Sequence, residues 1–293
     1  MQSEPVTRPH LLDRALAVGT GFRKEAQSAI RRSLHEFDVL EVTVDHYLHG
    51  TPRVRERILA IADELPVVVH GVGLSVGTAV LPDKAYLDAV ADFVERVQAP
   101  WYSEHLAFTG VPGRDLAQLI PLPRTRESLD VLAENLAVVR AHVQVPIVLE
   151  NITYYFTWPQ DEYDEVTFLV RALQESGAFL LLDLENLRIN ASNHGFNPVA
   201  FINALPPGIV RAVHVAGGMR EGLVHIDSHN RPVSSNVLQL LARTLLRQMP
   251  DTIIVERDDA LDAFDEVVAD CQHVRSVVAG FDISNSASGV KAD

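Results

Sequence analysis

One cysteine, Cys271, is all the chain contains, so no intrachain disulfide can staple the fold. Its setting in a helical apolar pattern with Phe264, Val267 and Val268 predicts a packed thiol that behaves as a small apolar side chain. Basic residues are also in short supply: 25 Lys and Arg stand against 39 Asp and Glu, for a net charge of −14. A protein that grips a phosphate backbone does so through many cations, so nucleic acid is not an expected partner. No apolar run approaches the roughly 18 to 20 residues that a membrane span requires. The segment from Met1 to Arg14 lacks the apolar core of a secretory signal. The expectation is a cytoplasmic protein with no membrane partner.

Several catalytic signatures are missing as well. The glycines of GVGLSVG (Gly71 to Gly77) do not have the spacing of a dinucleotide fingerprint and read as a tight loop after a strand. Ser103, Glu104 and His105 are too contiguous to form a triad. No lysine ends a strand, where a Schiff-base nucleophile would be expected.

What the chain does have is a repeating unit: a short β-branched or aliphatic run ending in polar residues, then a longer segment of helical periodicity. The strand candidates are Ala15 to Gly21, Val39 to Val44, Pro66 to His70, Trp101 to His105, Pro146 to Asn151, Phe179 to Asp183, Val210 to Val215 and Thr252 to Glu256. Between them lie amphipathic segments such as Lys84 to Val97 and Arg126 to Val143. Pro66, Pro100 and Pro146 stand just before strands, as helix-to-strand turns require. Strands alternating with helices predict a parallel α/β sheet, and this number of them closes most economically into a (β/α)8 TIM barrel. Residues 1–281 are read as that barrel, and residues 282–293, polar and without apolar pattern, as a disordered tail.

Barrel enzymes build their sites at the C-terminal ends of the strands. Here those ends carry His70, His105, Glu150, Asp183, His214 and Glu256, all residue types that bind metals. Period-two spacing in an extended chain adds Glu185 beside Asp183, and Asp227 beside His229. Any one of them taken alone is more often a hydrogen-bonded structural residue; the gathering of all on one barrel face is what points to metal. Imidazoles and carboxylates crowded together cannot all stay ionised without cations. Nitrogen and oxygen donors without thiolates suit iron, manganese or zinc. Around them, Glu41, Asp45, Asn151, Asn186 and His194 are candidates for the supporting layer or for substrate contact. His46 reads either as pocket lining or as an exposed loop residue. His10, His35, His142 and His273 fall in terminal or helical stretches and read as solvated.

The order HGVGLSVG, SEHLAF, IPLPRT, LEN, LLLD, NHGFNP, HVAG, IDSHNRPV and VERD resembles the multinuclear non-haem iron-dependent oxidative enzymes, whose type member is the iron oxidase of methanobactin biosynthesis. The resemblance runs unbroken from about Gly19 to Asp258. It implies a barrel of the xylose-isomerase and endonuclease IV type holding two or three iron ions, ferrous or ferric. His70 and His105 then resemble ligands at one edge of the cluster, and Glu150 a carboxylate bridging two irons. Asp183, His214 and Glu256 resemble the ligands of a central iron, and Asp227 and His229 those of a third position. Glu185 stands where the family usually has Asn, and Gly218 where many members have a second His. The activity implied is oxidation of a residue, Cys or a C-terminal Asp or Asn, in a ribosomally made peptide, with dioxygen as oxidant. A separate protein that recognises the leader peptide is the implied partner. Two readings compete: a hydrolase or isomerase using redox-inactive metals on the same barrel, and a non-catalytic metal-binding partner protein, for which so many donors would be superfluous.

Overall fold

The computed structural model describes residues 11, 16–111 and 113–288, the side chains of 115 and 282–288 excepted. It contains the strands β1 (Ala17–Gly21), β2 (Val39–Thr43), β3 (Val67–Gly71), β4 (Tyr102–His105), β5 (Ala107–Val111), β6 (Arg114–Pro121), β7 (Ile147–Glu150), β8 (Phe179–Asp183), β9 (Val210–Val215), β10 (Gly217–Glu221), β11 (Val224–Arg231) and β12 (Thr252–Val255). Eight of them, in the order β1-β12-β9-β8-β7-β4-β3-β2, form a closed barrel, every neighbouring pair parallel. This is the TIM barrel expected from the sequence, and each expected strand is found within a residue or two of its expected ends; Ala15 lies outside the described residues.

The strands are buried on both faces, which is why they read as aliphatic runs rather than as alternating patterns. The helices around them start on side-chain caps: Thr51, Asp83, Thr125, Asp164 and Ser234 each accept a backbone N–H from the first turn that follows. The helix Lys84–Val97 has the expected limits, and Arg126–His142 ends one residue short of them. Cys271 is 1% exposed within the final helix, its thiol pushed up to about 12 by burial, as a packed apolar residue should be.

Two features depart from the sequence reading. Pairs β5–β6 and β10–β11 are antiparallel hairpins standing outside the barrel, one after β4 and one after β9. The final helix runs Phe264–Ser288, past Asp282, where a disordered tail is expected. No Pro or Gly lies between 282 and 288, so nothing in the chain forces the helix to stop there. Residues 289–293 lie outside the described residues.

Candidate metal centre

The barrel interior is built in layers, and the site is one of them. Ala17, Val39, Val68, Trp101, Val148, Leu181, Ala212 and Ile254 pack into one buried apolar cluster, one residue from each strand or its immediate approach. Two residues further on, and therefore on the same inward face, the chain places Gly19, Glu41, His70, Ser103, Glu150, Asp183, His214 and Glu256. The apolar layer is thus the floor of a polar one. Gly19 is the member without a side chain because a Cβ there would stand 1.8 Å from the carbonyl oxygen of Val39.

Two sets of donors converge in this polar layer, His70 with His105 and Glu150, and Glu150 with Asp183, His214 and Glu256. Within each set one donor atom per residue lies within 4.8 Å of all the others. Glu150 belongs to both sets. Its Oε2 is 3.3 Å from His70 Nε2 and 3.4 Å from His105 Nε2, and its Oε1 is 3.5 Å from His214 Nδ1. Glu256 Oε2 lies 3.2 Å from His214 Nδ1.

The imidazoles are held in the tautomers that ligands need. His70 Nδ1 lies 2.9 Å from Ser103 Oγ, whose own proton goes to Val69 O, so the imidazole donates there and its Nε2 lone pair faces the cluster. His105 Nδ1 donates to Gly71 O at 3.1 Å, which turns Nε2 toward the cluster. His214 is reversed: Nε2 faces Glu41 Oε2 at 2.9 Å, and Nδ1 points inward. A carboxylate or carbonyl behind each ring is the usual device for orienting a metal-binding histidine. Asn151 does the same for Asp183 through the backbone, accepting the Asp183 N–H and donating to the Asp183 carbonyl, both at 2.9 Å.

The electrostatics show how much positive charge the layer requires. Burial pushes the Asp183 carboxyl well above its ordinary range and raises Glu41. Burial resists the charge on His105, but Glu150 and Glu104 overcome it and push that imidazole up to about 9. Glu256 is held well below the usual carboxylate range against burial, by His214, His229 and Arg23. His70, desolvated and beside His105 and His214, is pushed well down and stays neutral. Without metal, protons on imidazoles balance the carboxylates; cations would do so without the protons.

A further pair completes the face. His229 on β11 has a left-handed backbone, φ 41°, and its Nε2 lies 2.7 Å from Asp227 Oδ1. Its Nδ1 is 3.3 Å from Glu256 Oε2 and 3.4 Å from Asp258 Oδ2. Among the described residues, Glu150 Oε2, Asp183 Oδ2, His214 Nδ1, Asp227 Oδ1 and His229 Nε2 are buried without an aligned hydrogen bond. Orphaned polar atoms cost about 1–3 kcal/mol each. That five of them gather at one barrel mouth is the pattern a shared set of cations would satisfy. Their nitrogen and oxygen chemistry fits iron, manganese or zinc.

Glu185 does not join them. The expected pairing with Asp183 assumes an extended chain, but Asp183 caps a helix, Leu184–His194, so residue 185 turns away from the strand face. Its carboxylate takes two hydrogen bonds from Arg188, both 2.7 Å, and one from Gly218 N–H at 2.9 Å. His46 is exposed, and lies on the short helix Val44–Leu48 rather than in a loop. Asp45 braces the loop after β3, accepting from Val72 N–H at 2.9 Å and Tyr86 OH at 3.0 Å. Asn186 accepts from Thr153 and donates to Asn151 O, supporting the Asp183 cap. His194 stacks on Tyr154 with ring centroids 4.2 Å apart, its Nε2 facing Tyr154 O at 2.9 Å. His142 is not free in solvent but pairs with Asp88 at 2.7 Å.

Sequence reading missed Arg23, Ser103, Glu104, Asp258 and Tyr155. Arg23 donates to Asp258, which in turn faces His229. Glu104, 1% exposed, accepts from Leu74 N–H, Tyr102 OH and His105 N–H. Ser103 was findable, since it shares the inward face of β4 with His105; Glu104 lies on the opposite face and carried no such signal.

Comparison with known proteins agrees with this geometry. A UPF0276 protein of Caulobacter vibrioides is 34% identical over 239 residues, covering 82% of this chain and 85% of that protein. One from Acaryochloris marina is 31% identical over 254 residues, covering 87% and 92%. One from Streptomyces avermitilis is 37% identical over 253 residues, which is 83% of this chain but 51% of that longer protein. Among solved structures, D-psicose 3-epimerase from Clostridium cellulolyticum has a TM-score of 0.57 at 12% identity, covering 89% of this chain and 99% of the epimerase. A xylose isomerase domain protein from Planctomyces limnophilus has 0.55 at 13%, covering 90% and 96%. Likeness at that identity establishes the xylose-isomerase type of barrel and no activity. Residues 17–279 match the family described as RiPP precursor modification enzyme MbnB/TglH/ChrH, where RiPP denotes a ribosomally synthesised, modified peptide. With the match spanning nearly the whole barrel, the chain belongs to the MbnB/TglH/ChrH family of peptide-modifying enzymes.

Proposed function

We propose that the protein is an iron-dependent oxidase that uses dioxygen to modify a Cys, or a C-terminal Asp or Asn, in a ribosomally synthesised precursor peptide. The observation that carries this reading is the position of Glu150 in both donor sets, which lets one carboxylate serve two adjacent ions. In this assignment His70, His105 and Glu150 hold one iron, and Glu150, Asp183, His214 and Glu256 a second. Asp227 and His229 supply a third position. Iron, when bound, would relay electrons from the peptide to dioxygen.

The chain's own residues supply orientation and charge balance. Ser103, Gly71 and Glu41 fix which ring nitrogen of His70, His105 and His214 faces inward. Arg23 offsets the negative charge of Glu256 and Asp258 at the mouth. The loops and the β10–β11 hairpin that follow the strands carry exposed Val72, Tyr155, Phe156, Met219 and Leu223, apolar side chains available to a peptide. A separate leader-recognition protein would deliver the precursor. The reading is tested by mixing the iron-loaded protein and a precursor peptide with dioxygen and following the peptide mass. A mass change that requires iron and is absent with zinc supports it, and an unchanged peptide with every metal and partner tried counts against it.

A further inference from the structure

Between Glu150 and the helix Glu165–Ser176 runs an irregular segment dense in aromatic residues, among them Tyr154, Tyr155, Phe156 and Trp158. Irregular segments of this length within a compact domain are commonly functional. This one is pinned down rather than loose. Tyr154 N–H donates to Asn190 Oδ1 at 3.0 Å, and Trp158 Nε1–H to Pro121 O at 2.8 Å. Tyr155 OH accepts from the N–H of Asp227, one of the candidate ligands, at 3.0 Å. The segment therefore bridges from the root of Glu150 to the far side of the site.

Beneath it lies a cavity of about 60 Å3 walled by Leu106, Leu122, Ile152, Phe156, Trp158 and Leu169. Leu106 directly follows His105, and Asn151, which also lines the cavity, directly follows Glu150, so its wall begins one residue beyond two of the candidate ligands. Its charged wall groups are already engaged. Arg124 donates to Asp161 at 2.7 and 3.0 Å. Glu165 accepts from Tyr154 OH at 2.9 Å and from Asn190 at 3.2 Å. A charged guest would find no free counterion. At roughly 10–15 Å3 for each water-sized sphere, the space admits only a handful of heavy atoms. An isobutyl or isopropyl group fits that limit, and an indole does not.

We propose that this cavity is a side-chain pocket that seats a branched aliphatic residue, Leu or Val, of the substrate peptide next to the residue presented to the metals. This rests on the peptide-modifying reading above. The chain's two tryptophans make the test direct. Trp158 lines the pocket, whereas Trp101 is sealed in the apolar layer of the barrel. Protein labelled with 5-fluorotryptophan gives one 19F resonance for each, assigned with Trp158→Phe. Titration with N-acetyl-leucine methylamide should move the Trp158 resonance saturably and leave that of Trp101 in place. The aspartate and tryptophan methylamides should bind at least tenfold more weakly. Filling the pocket with Ile152→Phe should abolish the leucine response while metal content stays unchanged. If that variant does not fold, the three-ligand series on the wild type decides. Equal responses to all three compounds, or none to leucine, would overturn the pocket. A leucine-selective response in protein that takes up no iron would uphold the pocket while the oxidase reading falls. Iron-loaded protein without the response would sink the pocket alone.

Discussion

Glu185 and Gly218 are fitted to each other: Glu185 Oε1 accepts the Gly218 N–H at 2.9 Å, and a Cβ on residue 218 would stand 2.5 Å from that same oxygen. The two positions that the resemblance singles out as departures are therefore in direct contact. The Glu185 carboxylate, held by Arg188, and the Ile226 carbonyl together leave room at 218 only for glycine.

Gly218→Ala should lower stability by about 1–3 kcal/mol, the usual cost of forcing an atom into occupied space. Glu185→Asn in the same chain should recover part of that loss but not all, because a Cβ at 218 also meets Ile226 O at 2.7 Å. A double-mutant cycle from thermal melts measures the coupling; strict additivity would show that the two residues do not share the strain. Glu185→Asn alone should leave metal stoichiometry unchanged, and loss of metal would return Glu185 to the ligand set.

Ligand deletions should differ in extent. Glu150 belongs to both donor sets, whereas His70 belongs to one. Glu150→Ala should therefore lose more bound metal than His70→Ala, and Asp183→Ala should lose metal only from the second set. Equal losses from Glu150→Ala and His70→Ala, by elemental analysis of folded protein, would contradict the shared carboxylate.

The groups behind the rings should matter without touching metal. Glu41→Gln weakens the hold on His214 Nε2 and frees the ring to adopt the wrong tautomer. Losing a partner of this kind typically costs 10–100-fold in metal affinity. Competition with a chelator reads it out, and an unchanged affinity would reduce Glu41 to packing.

Metal binding should release protons. In the metal-free protein the carboxylates Glu150 and Glu104, overcoming burial, keep His105 protonated up to about pH 9. A cation at Nε2 must displace that proton. Affinity should thus weaken as pH falls below that point, by at least about tenfold per pH unit, since His214 and His229 are held protonated as well and must also give up protons. Calorimetric titration of Fe2+ without oxygen, in two buffers of different ionisation heat, detects the proton; no release at neutral pH would contradict the assignment.

Much of this was legible before any coordinates. Strands buried on both faces write themselves as aliphatic runs, and the period of two carried His70, Glu150, Asp183, His214 and Glu256 onto one inward layer. The same rule failed at Glu185, because the chain becomes helical at Leu184. The hairpins were hidden too: β5 follows β4 after a single residue, so local pattern could not mark the end of one strand and the start of another. Partners such as Arg23 for Asp258 are distant in sequence and meet only through barrel closure.

The proposed oxidase requires an iron cluster in the polar layer of this barrel. Elemental analysis and Mössbauer spectroscopy of protein purified without oxygen decide whether it is there. Two or three irons per chain are expected, with spectra showing coupling between ions that share Glu150. Protein that carries only zinc and stays inactive when loaded with iron, or that binds no metal at all, would contradict it.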